Sequence, residues 1–414
     1  EVSALVLDVG SCWTRAGYAG EDTPKAVFPT SYGYIAEAET AVPNIDEDTI
    51  MKNADSDAPK GESSNSAFAE NTLSKKEKGK YIIGDAEVAA WRSNMEIKNP
   101  LVDGLVQDWD ALEKIWDHAL DKRLQVDPTE HPLFVTEAAW NTREIREKLT
   151  EIAFEKYQVL AFYVAKNPVL SAFATGRPTA VVLDCGHSTT SCVPVVDGYV
   201  LKKGIYKQPV AGEFLSEQIM QQFQKLNINV EPHYLIAKKT VVEADQPAIV
   251  VYRDRPNTTE SYHKYMQMFP DGFNTSFGVQ RFDVPEILFN PPKFIMQPDR
   301  PSFDTKSMLG VPQMICNSVS ACDVDVRPLL LNNIILTGGT TLLPGFADRV
   351  NYELSMMLHG MKIKLHAPGN TIERKCSSWL GGSILASLGT FHQLWISRKE
   401  YDDQGAMIVE KKCE

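Results

Sequence analysis

The chain has 414 residues, of which 43% are hydrophobic, and a formal net charge of −12. This length is sufficient for two or more domains with their own cores, and the acidic balance argues against a protein that grips nucleic acid with its whole surface. No apolar run approaches the ~18 residues of a membrane-spanning helix. The seven cysteines include no Cys-x-x-Cys pair, so the sequence predicts neither a zinc site nor a disulfide framework.

The first predicted element is a buried strand that ends in an Asp-x-Gly turn. Residues 4–11 read Ala-Leu-Val-Leu-Asp-Val-Gly-Ser, and a second apolar stretch closed by Gly20 follows. The apolar, β-branched run is typical of an interior strand. A glycine two positions after the aspartate lets backbone N–H groups approach an anion. Because buried strands often end in Asp-Gly turns, one copy of this motif is weak evidence for a ligand site.

The segment from Ala36 to Gly79 departs from globular composition. It contains ten acidic residues, five basic residues and a single aromatic residue, Phe68. A polar, charged segment without sustained hydrophobic periodicity is predicted to be a disordered insertion. A solvated spacer is the simpler interpretation, with a functional role as the alternative.

A second copy of the first motif begins at Ala180. Residues 180–187 read Ala-Val-Val-Leu-Asp-Cys-Gly-His. Two copies predict two similar domains that face each other, each offering one aspartate and one hairpin of N–H donors to a shared ligand. A nucleotide polyphosphate with its metal is the natural candidate.

Two further zones follow. The stretch from about Glu231 to Pro312 is irregular, and its aromatic residues belong either to a local core or to a partner surface. Residues 333–341 then read Asn-Ile-Ile-Leu-Thr-Gly-Gly-Thr-Thr, and a helical pattern runs from Phe346 to Leu358. A strand, a double-glycine turn and a helix start commonly bring backbone against a nucleoside or phosphate.

These motifs, together with residues 378–388, which read Ser-Trp-Leu-Gly-Gly-Ser-Ile-Leu-Ala-Ser-Leu, closely resemble actin along nearly the whole chain. Residues 371–374 and 389–395 look like a nuclear branch of the actin-related proteins, whose members are subunits of chromatin remodelling and histone acetyltransferase complexes. The resemblance implies an α/β, actin-like ATPase fold with two lobes, each of two subdomains, around a central nucleotide cleft.

The implied subdomains are assembled from separate segments of the chain. They are residues 1–29, 100–173 and 377–414 for subdomain 1, 30–99 for subdomain 2 with the insertion at about 36–79, 174–210 and 299–376 for subdomain 3, and 211–298 for subdomain 4.

The resemblance also implies a nucleotide site that holds ATP with Mg²⁺ or Ca²⁺. Asp8 and Asp184 would hold the metal through its waters. Arg15 stands where actin has lysine, and its guanidinium fork suits phosphate. The adenosine side would be lined by Gly339, Thr340, Leu342, Leu343 and Lys375, and Leu343 replaces an actin tyrosine. The implied nucleotide-binding residues are Asp8, Gly10, Ser11, Arg15, Asp184, Gly186, His187, Ser188, Gly338, Gly339, Thr340, Leu342, Leu343 and Lys375.

The chain departs from actin where the attacking water is ordered. Asn167 replaces a glutamine, His187 an aspartate, Ser191 a histidine, and Asp103 a further histidine. Pro168 favours extended backbone at Asn167. Phosphoryl transfer depends on positioning and charge stabilisation, so these changes predict a cleft that binds ATP without a catalytic set, with hydrolysis absent or very slow.

The partners implied by the resemblance are actin and an amphipathic helix of a remodeller ATPase or an acetyltransferase scaffold, in the nucleus, with histones or nucleosomal DNA as a further expectation. No membrane contact is expected, and the polar insertion argues against filament formation. The groove for the helix is expected at Phe173, Ala174, Gly176, Leu385, Leu388 and Thr390. The chain is predicted to begin a helix after Gly381 and Gly382, which would place Leu385 and Leu388 on one face at positions i and i+3.

Two alternatives remain open. The first is an active enzyme of the same superfamily, such as a sugar kinase or a chaperone ATPase. A kinase requires a sugar-binding carboxylate in the cleft, and the sequence offers no convincing candidate. The second is an active actin-like ATPase that forms filaments.

Overall fold

The computed structural model describes residues 2–36, 79–228, 230, 265–268, 274–278, 280–296 and 304–413. Residues 37–78, which make up most of the predicted disordered insertion, lie outside the described residues, as does much of the irregular zone from 231 to 312. The strands are β1 Leu5–Val9, β2 Trp13–Tyr18, β3 Ala26–Pro29, β4 Tyr32–Ala36, β5 Gly79–Ile82, β6 Glu96–Lys98, β7 Leu101–Val102, β8 Leu105–Val106, β9 Leu133–Glu137, β10 Ala161–Lys166, β11 Ala180–Cys185, β12 Thr190–Val196, β13 Tyr199–Val200, β14 Tyr206–Gln208, β15 Tyr265–Met268, β16 Asn274–Phe277, β17 Ile334–Thr337, β18 Leu365–His366 and β19 Ile396–Ser397.

The helices surround these strands. They are α1 Asp85–Ala89, α2 Trp109–Asp117, α3 Arg143–Glu151, α4 Asn167–Ala174, α5 Gly212–Lys225, α6 Gln280–Glu286, α7 Pro291–Phe294, α8 Val311–Ser320, α9 Arg327–Leu331, α10 Phe346–Met357, α11 Thr371–Lys375, α12 Ser377–Ser387, α13 Arg398–Gln404 and α14 Ile408–Lys412. Within the described ranges, none is long and apolar enough to cross a bilayer.

The predicted internal repeat is present as two sheets with matching connections. The first has the order β19-β10-β9-β1-β2-β3, and the second has the order β13-β12-β11-β17-β18 with β14 beside β12. In the first sheet β1 pairs antiparallel with β2 and parallel with β9. In the second, β11 pairs antiparallel with β12 and parallel with β17. The two Asp-x-Gly motifs therefore occupy equivalent places at the ends of equivalent strands.

Both central strands are buried on both faces, as expected for parallel sheets covered by helices. In β1, Leu5 and Leu7 join one core, whereas Val6 joins another core that contains Trp379. Successive side chains point to opposite faces of a strand, so an unbroken apolar run of this kind fits a doubly covered sheet. The side chains of β11 alternate in the same way, because Val181 and Leu183 join one further core and Val182 joins another.

A close crossing of α4 and α12 corrects one sequence expectation. The second helix was predicted to begin after Gly381 and Gly382, but α12 begins at Ser377 and contains both glycines. Gly381 is needed for the contact with α4, because a Cβ atom there would lie 2.0 Å from the Leu170 carbonyl oxygen. The absence of a side chain at Gly381 lets the two helix backbones approach closely, whereas Gly382 faces Phe134 and Val6 of the first sheet.

The ends of the predicted insertion are neighbours. Ala36 and Gly79 are directly paired across β4 and β5, so the chain leaves and re-enters the described structure at one place. Replacing residues 37–78 with Asn-Gly, which suits a two-residue hairpin turn, should preserve the fold. The free-energy cost of closing a loop rises by only about 0.6 kcal/mol per doubling of loop length. A shorter loop lowers this cost and so favours the folded state. Urea denaturation tests this expectation, and a large loss of stability would show that residues 37–78 pack on the rest of the protein.

Candidate nucleotide-binding cleft

The turns that follow β1 and β11 meet across a cleft. In the first turn the Gly10 amide donates to the Trp13 carbonyl oxygen at 3.1 Å, and in the second the Gly186 amide donates to the Thr189 carbonyl oxygen at 3.1 Å. The two turns contact each other through the Ser11 and Ser188 hydroxyl groups, whose oxygens are 2.7 Å apart.

Backbone donors are available at both turns. In the described part of the chain, the amides of Ser11, Cys12, His187 and Ser188 donate to no protein acceptor. Successive backbone N–H groups in such turns form concavities that bind anions. Two sets of N–H donors, one at each turn, therefore remain available for an anionic group in the cleft.

The third glycine-rich turn, at residues 338–341, is hydrogen-bonded to the turn that follows β11. Thr340 Oγ1 donates to the Gly186 carbonyl oxygen at 2.7 Å, and the Gly338 amide donates to the Arg374 carbonyl oxygen at 3.0 Å. Gly338 has φ of 93°, a conformation that glycine adopts without strain. A Cβ atom there would lie 2.3 Å from the Cys185 carbonyl oxygen, so only glycine fits this approach.

The two aspartates of the repeat have different partners. Both oxygens of Asp8 are engaged, because Arg15 Nη1 donates to Oδ2 at 2.8 Å and Thr136 Oγ1 donates to Oδ1 at 2.6 Å. For Asp184, burial and then the negative charge of Asp8 raise the pKa to about 6, against a smaller opposing effect of Arg15. Burial lowers the pKa of Arg15, but Asp8 and Cys376 outweigh this effect and raise it.

A cavity of about 290 Å³ separates the turns, close to the lower end of the ~300–1,000 Å³ typical of small-molecule sites. Among the described residues, Asp8 and Asp184 are the only carboxylates in its lining, so no further carboxylate is present for a sugar. The predicted residues that line it are Asp8, Gly10, Ser11, Arg15, Asn167, Asp184, Gly186, His187, Ser188, Ser191, Gly338, Gly339, Thr340 and Lys375.

Leu342 and Leu343 were expected beside the adenosine, but they do not line this cavity. Leu342 ends a 3₁₀ turn over Gly339–Leu342, and the half-buried Leu343 packs instead against the core of the second sheet. The packing of Leu343 on that core is a tertiary contact, which the apolar sequence alone does not reveal.

Two tryptophans on the wall were missed by sequence reasoning. Trp13 begins β2, and Trp140 follows the end of β9. Trp140 Nε1 donates to the carbonyl oxygen of Asp103 at 3.0 Å, and the ammonium group of Lys207, on the second sheet, lies 5.0 Å from the Trp140 ring centroid. The usable signal was their position, directly after a turn or strand that ends at the cleft.

Asn167 is placed differently from the expectation. The residue before a proline was predicted to be extended, but Asn167 is the first residue of α4 and Lys166 is the extended one. Proline is well accommodated in the first turn of a helix, where no N–H is required. The Asn167 Oδ1 atom is buried without a hydrogen-bond partner in the protein, and the residue lines the cavity.

The donor set fits a divalent cation that retains water. Mg²⁺ is usually bound by one or two carboxylates, phosphate oxygens of the substrate and several waters. Asp8 and Asp184 supply two carboxylates, and the described residues contain no cluster of three or more metal-binding side chains that would form a protein cage. The residues present are therefore compatible with a cation held partly by a nucleotide.

The predicted helix groove is only partly as expected. Phe173 near the end of α4 and Leu388 beyond α12 are 36% and 39% exposed. Leu385 is half-buried against the core that contains Trp379. Leu388 does not share a helix face with Leu385, because α12 ends at Ser387 and Leu388 is extended. Ala174, Gly176 and Thr390 are partly or fully exposed.

Comparison with known proteins identifies the family. A family model described as Actin matches residues 1–268 and 265–414. The chain belongs to the actin family. Proteins named Actin-related protein 4 from Oryza sativa subsp. indica and Arabidopsis thaliana are 39% and 38% identical to it, over 100% of this chain and 99% of each relative. A Schizosaccharomyces pombe protein named SWI/SNF and RSC complexes subunit arp42 is 34% identical over the same shares.

Membership of the actin family confirms the predicted α/β, actin-like ATPase fold. Folds of the actin family generally bind a nucleotide with a divalent cation, which agrees with the donors that converge on the cleft. The roles of individual cleft residues, the groove and the four subdomain boundaries stay predictions.

Proposed function

We propose that this chain is an ATP-binding, largely non-hydrolysing architectural subunit of nuclear chromatin remodelling and histone acetyltransferase complexes. It would pair with actin on an amphipathic helix of a remodeller ATPase or an acetyltransferase scaffold, and would contact histones or nucleosomal DNA from there. The names of the relatives support the assignment to chromatin complexes. The observation that carries the proposal is a cleft with the phosphate-binding turns intact and the water-ordering positions changed.

The first half of the proposal concerns binding. The N–H donors at Ser11, Cys12, His187 and Ser188 would hold the phosphates, because anions are favoured where several backbone amides converge. Arg15 adds a fixed positive charge. When bound, Mg²⁺ would neutralise part of the triphosphate charge beside the two aspartates. Gly339, Thr340 and Lys375 would face the nucleoside.

The second half concerns hydrolysis. Asn167 is one methylene shorter than the glutamine that positions water in actin, so its amide is displaced by roughly 1.5 Å, and errors of about 1 Å can cost about 100-fold in rate. His187 and Ser191 line the same cavity and differ from actin as well. Because phosphoryl transfer depends on positioning and electrostatics, three changes at one step support retained binding with lost turnover.

The third element is the partner surface. Phe173 near the end of α4, Ile384 in the last turn of α12 and Leu388 just beyond α12 are large apolar side chains, each at least 36% exposed. The two helices are held together by the Ser171 and Ser377 hydroxyl groups, whose oxygens are 2.9 Å apart, and by the contact at Gly381. Exposed apolar residues on a rigid helix pair suit the binding of an amphipathic helix.

Leu388→Asp tests the partner surface. We expect at least a tenfold loss of affinity for the helix, about 1.4 kcal/mol, because a charge would replace a buried apolar contact. The protein should remain folded, since Leu388 is exposed in the free chain. Binding is measured with the remodeller helix and actin, together with a thermal melt. Leu329→Asp, at a site 54% exposed on α9, is the matched control.

Equal helix binding by the two variants would reject this surface as the docking site. Leu385→Asp is the poorer test, because Leu385 packs on the core and its replacement would bury an unpaired charge.

A further inference from the structure

Arg374 contacts the third glycine-rich turn at both of its ends. At the start of the turn, the Gly338 amide donates to the Arg374 carbonyl oxygen at 3.0 Å. At its end, Arg374 Nη1 donates to Thr341 Oγ1 at 3.2 Å, and the same hydroxyl group donates to the Gly338 carbonyl oxygen at 2.7 Å. One residue therefore fixes where the turn begins and where it ends.

The guanidinium of Arg374 is buried but forms no ion pair within the described part of the chain. The residue is 7% exposed, and its Nε and Nη2 atoms donate to the Pro368 carbonyl oxygen at 3.0 and 2.8 Å. Burial lowers the pKa of Arg374, and no described carboxylate opposes this effect. Hydrogen bonds from a charged donor are stronger than those between neutral groups. The side chain therefore holds the segment at Pro368 against the end of the turn.

The turn and the residue after Arg374 form one wall of the cleft. Gly338, Gly339, Thr340 and Lys375 line the cavity, whereas Arg374 is not part of the lining. Lys375 is the exposed last residue of α11. Because Lys375 follows the anchored arginine directly, the position of its backbone depends on the contacts of Arg374. Arg374 can thus affect a bound molecule only through these neighbours.

The turns proposed to bind phosphate have independent support. The Gly186 carbonyl oxygen accepts hydrogen bonds from Thr340 Oγ1 at 2.7 Å and also from the Gly212 amide at 3.1 Å. The turn that follows β1 belongs to the other sheet. Loss of the Arg374 side-chain contacts should therefore displace the third turn while both phosphate-binding turns stay in place.

We propose that Arg374 is a positioning residue for nucleoside recognition, because its contacts place the third glycine-rich turn and Lys375 against the nucleoside. The inference rests on the proposed ATP binding and assigns part of its selectivity to a residue outside the cavity. The expected signature is a loss of affinity for the nucleoside portion without an equal loss for the phosphates. An arginine that only stabilises the fold would lower both affinities together or neither.

The test measures binding of ATP and of tripolyphosphate, which lacks the nucleoside, by calorimetry in Mg²⁺ with the nucleotide-stripped full chain. We expect the ratio of the two affinities to fall at least tenfold in Arg374→Met, about 1.4 kcal/mol, because methionine keeps an unbranched side chain and removes the donors. Arg327→Met is the matched control. The Arg327 guanidinium also donates to backbone carbonyls, those of Cys322 and Ser320 at 3.0 and 2.8 Å, but Arg327 does not line the cavity. Its affinity ratio should stay close to that of the wild type.

Thr341→Val gives a second readout if Arg374→Met does not fold. Valine has nearly the shape of threonine but lacks the hydroxyl group that accepts from the guanidinium, so the ratio should fall in the same direction. An unchanged ratio in the variants that fold overturns the positioning role and leaves ATP binding intact. No binding of ATP by the wild type overturns the proposed function and this inference together.

Discussion

Gly381→Ala is expected to destabilise the protein by about 3 kcal/mol, at the upper end of the usual cost of overpacking. The added Cβ atom would lie 2.0 Å from the Leu170 carbonyl oxygen, and a backbone atom inside α4 cannot rotate away as a side chain does. Relief requires α4 and α12 to move apart. Such a movement would disturb the buried contacts that Leu170 and Trp379 make in their shared core.

Gly389→Ala is the matched control. A Cβ atom on Gly389 would meet no heavy atom within 4 Å, and the residue lies in an exposed 3₁₀ turn just beyond α12. Its effect should stay within about 0.5 kcal/mol, as for most surface substitutions. Urea denaturation compares the two variants. Equal stability would mean that the two helices do not cross as closely as the structure shows.

The two cleft aspartates should respond in opposite ways when they are neutralised. Asp8→Asn removes one partner of a buried ion pair and leaves Arg15 without its charge partner, which typically costs about 3–5 kcal/mol. Asp184→Asn removes a carboxylate that burial and Asp8 both disfavour, so the nucleotide-free protein should be equally stable or more stable. The comparison is made by chemical denaturation without nucleotide.

The pH dependence provides a second readout for Asp184. Its folded-state pKa is raised from 3.8 to about 6, so the folded protein holds the proton more tightly than the unfolded chain does. The destabilisation of the folded protein by the Asp184 carboxylate is absent below about pH 4, where the group is protonated in both states. It grows as the pH rises to about 6 and is constant above that pH. The stability difference between Asp184→Asn and wild type should therefore shrink as the pH falls from 7 to 4. A difference independent of pH would contradict the assigned environment of Asp184.

The repeat and the third turn could be predicted because the physics of each is local. An apolar run that ends in Asp-x-Gly determines a strand, its burial and its turn, and two copies at Asp8 and Asp184 pointed to one cleft. The resemblance to actin then supplied the arrangement of the lobes. These inferences needed only residue type and short spacing.

The remaining features depend on tertiary contacts. The pairing of Arg15 with Asp8 follows from strand register, and the extended backbone at Leu388 follows from where α12 ends. Asn167 is helical because the structure places Pro168 in the first turn of α4, although the dipeptide alone favours extended backbone. Leu343 packs on the second core because a 3₁₀ turn precedes it. No local pattern carries this information.

The most direct test of the central claim, that ATP binding persists while hydrolysis is lost, is to identify the nucleotide released when freshly purified protein is denatured and to measure its turnover. The claim predicts mainly ATP, with hydrolysis at least about 100-fold slower than that of actin measured in parallel, as expected from a misplaced water-ordering group. Recovery of mainly ADP, or turnover at the rate of actin, would contradict it.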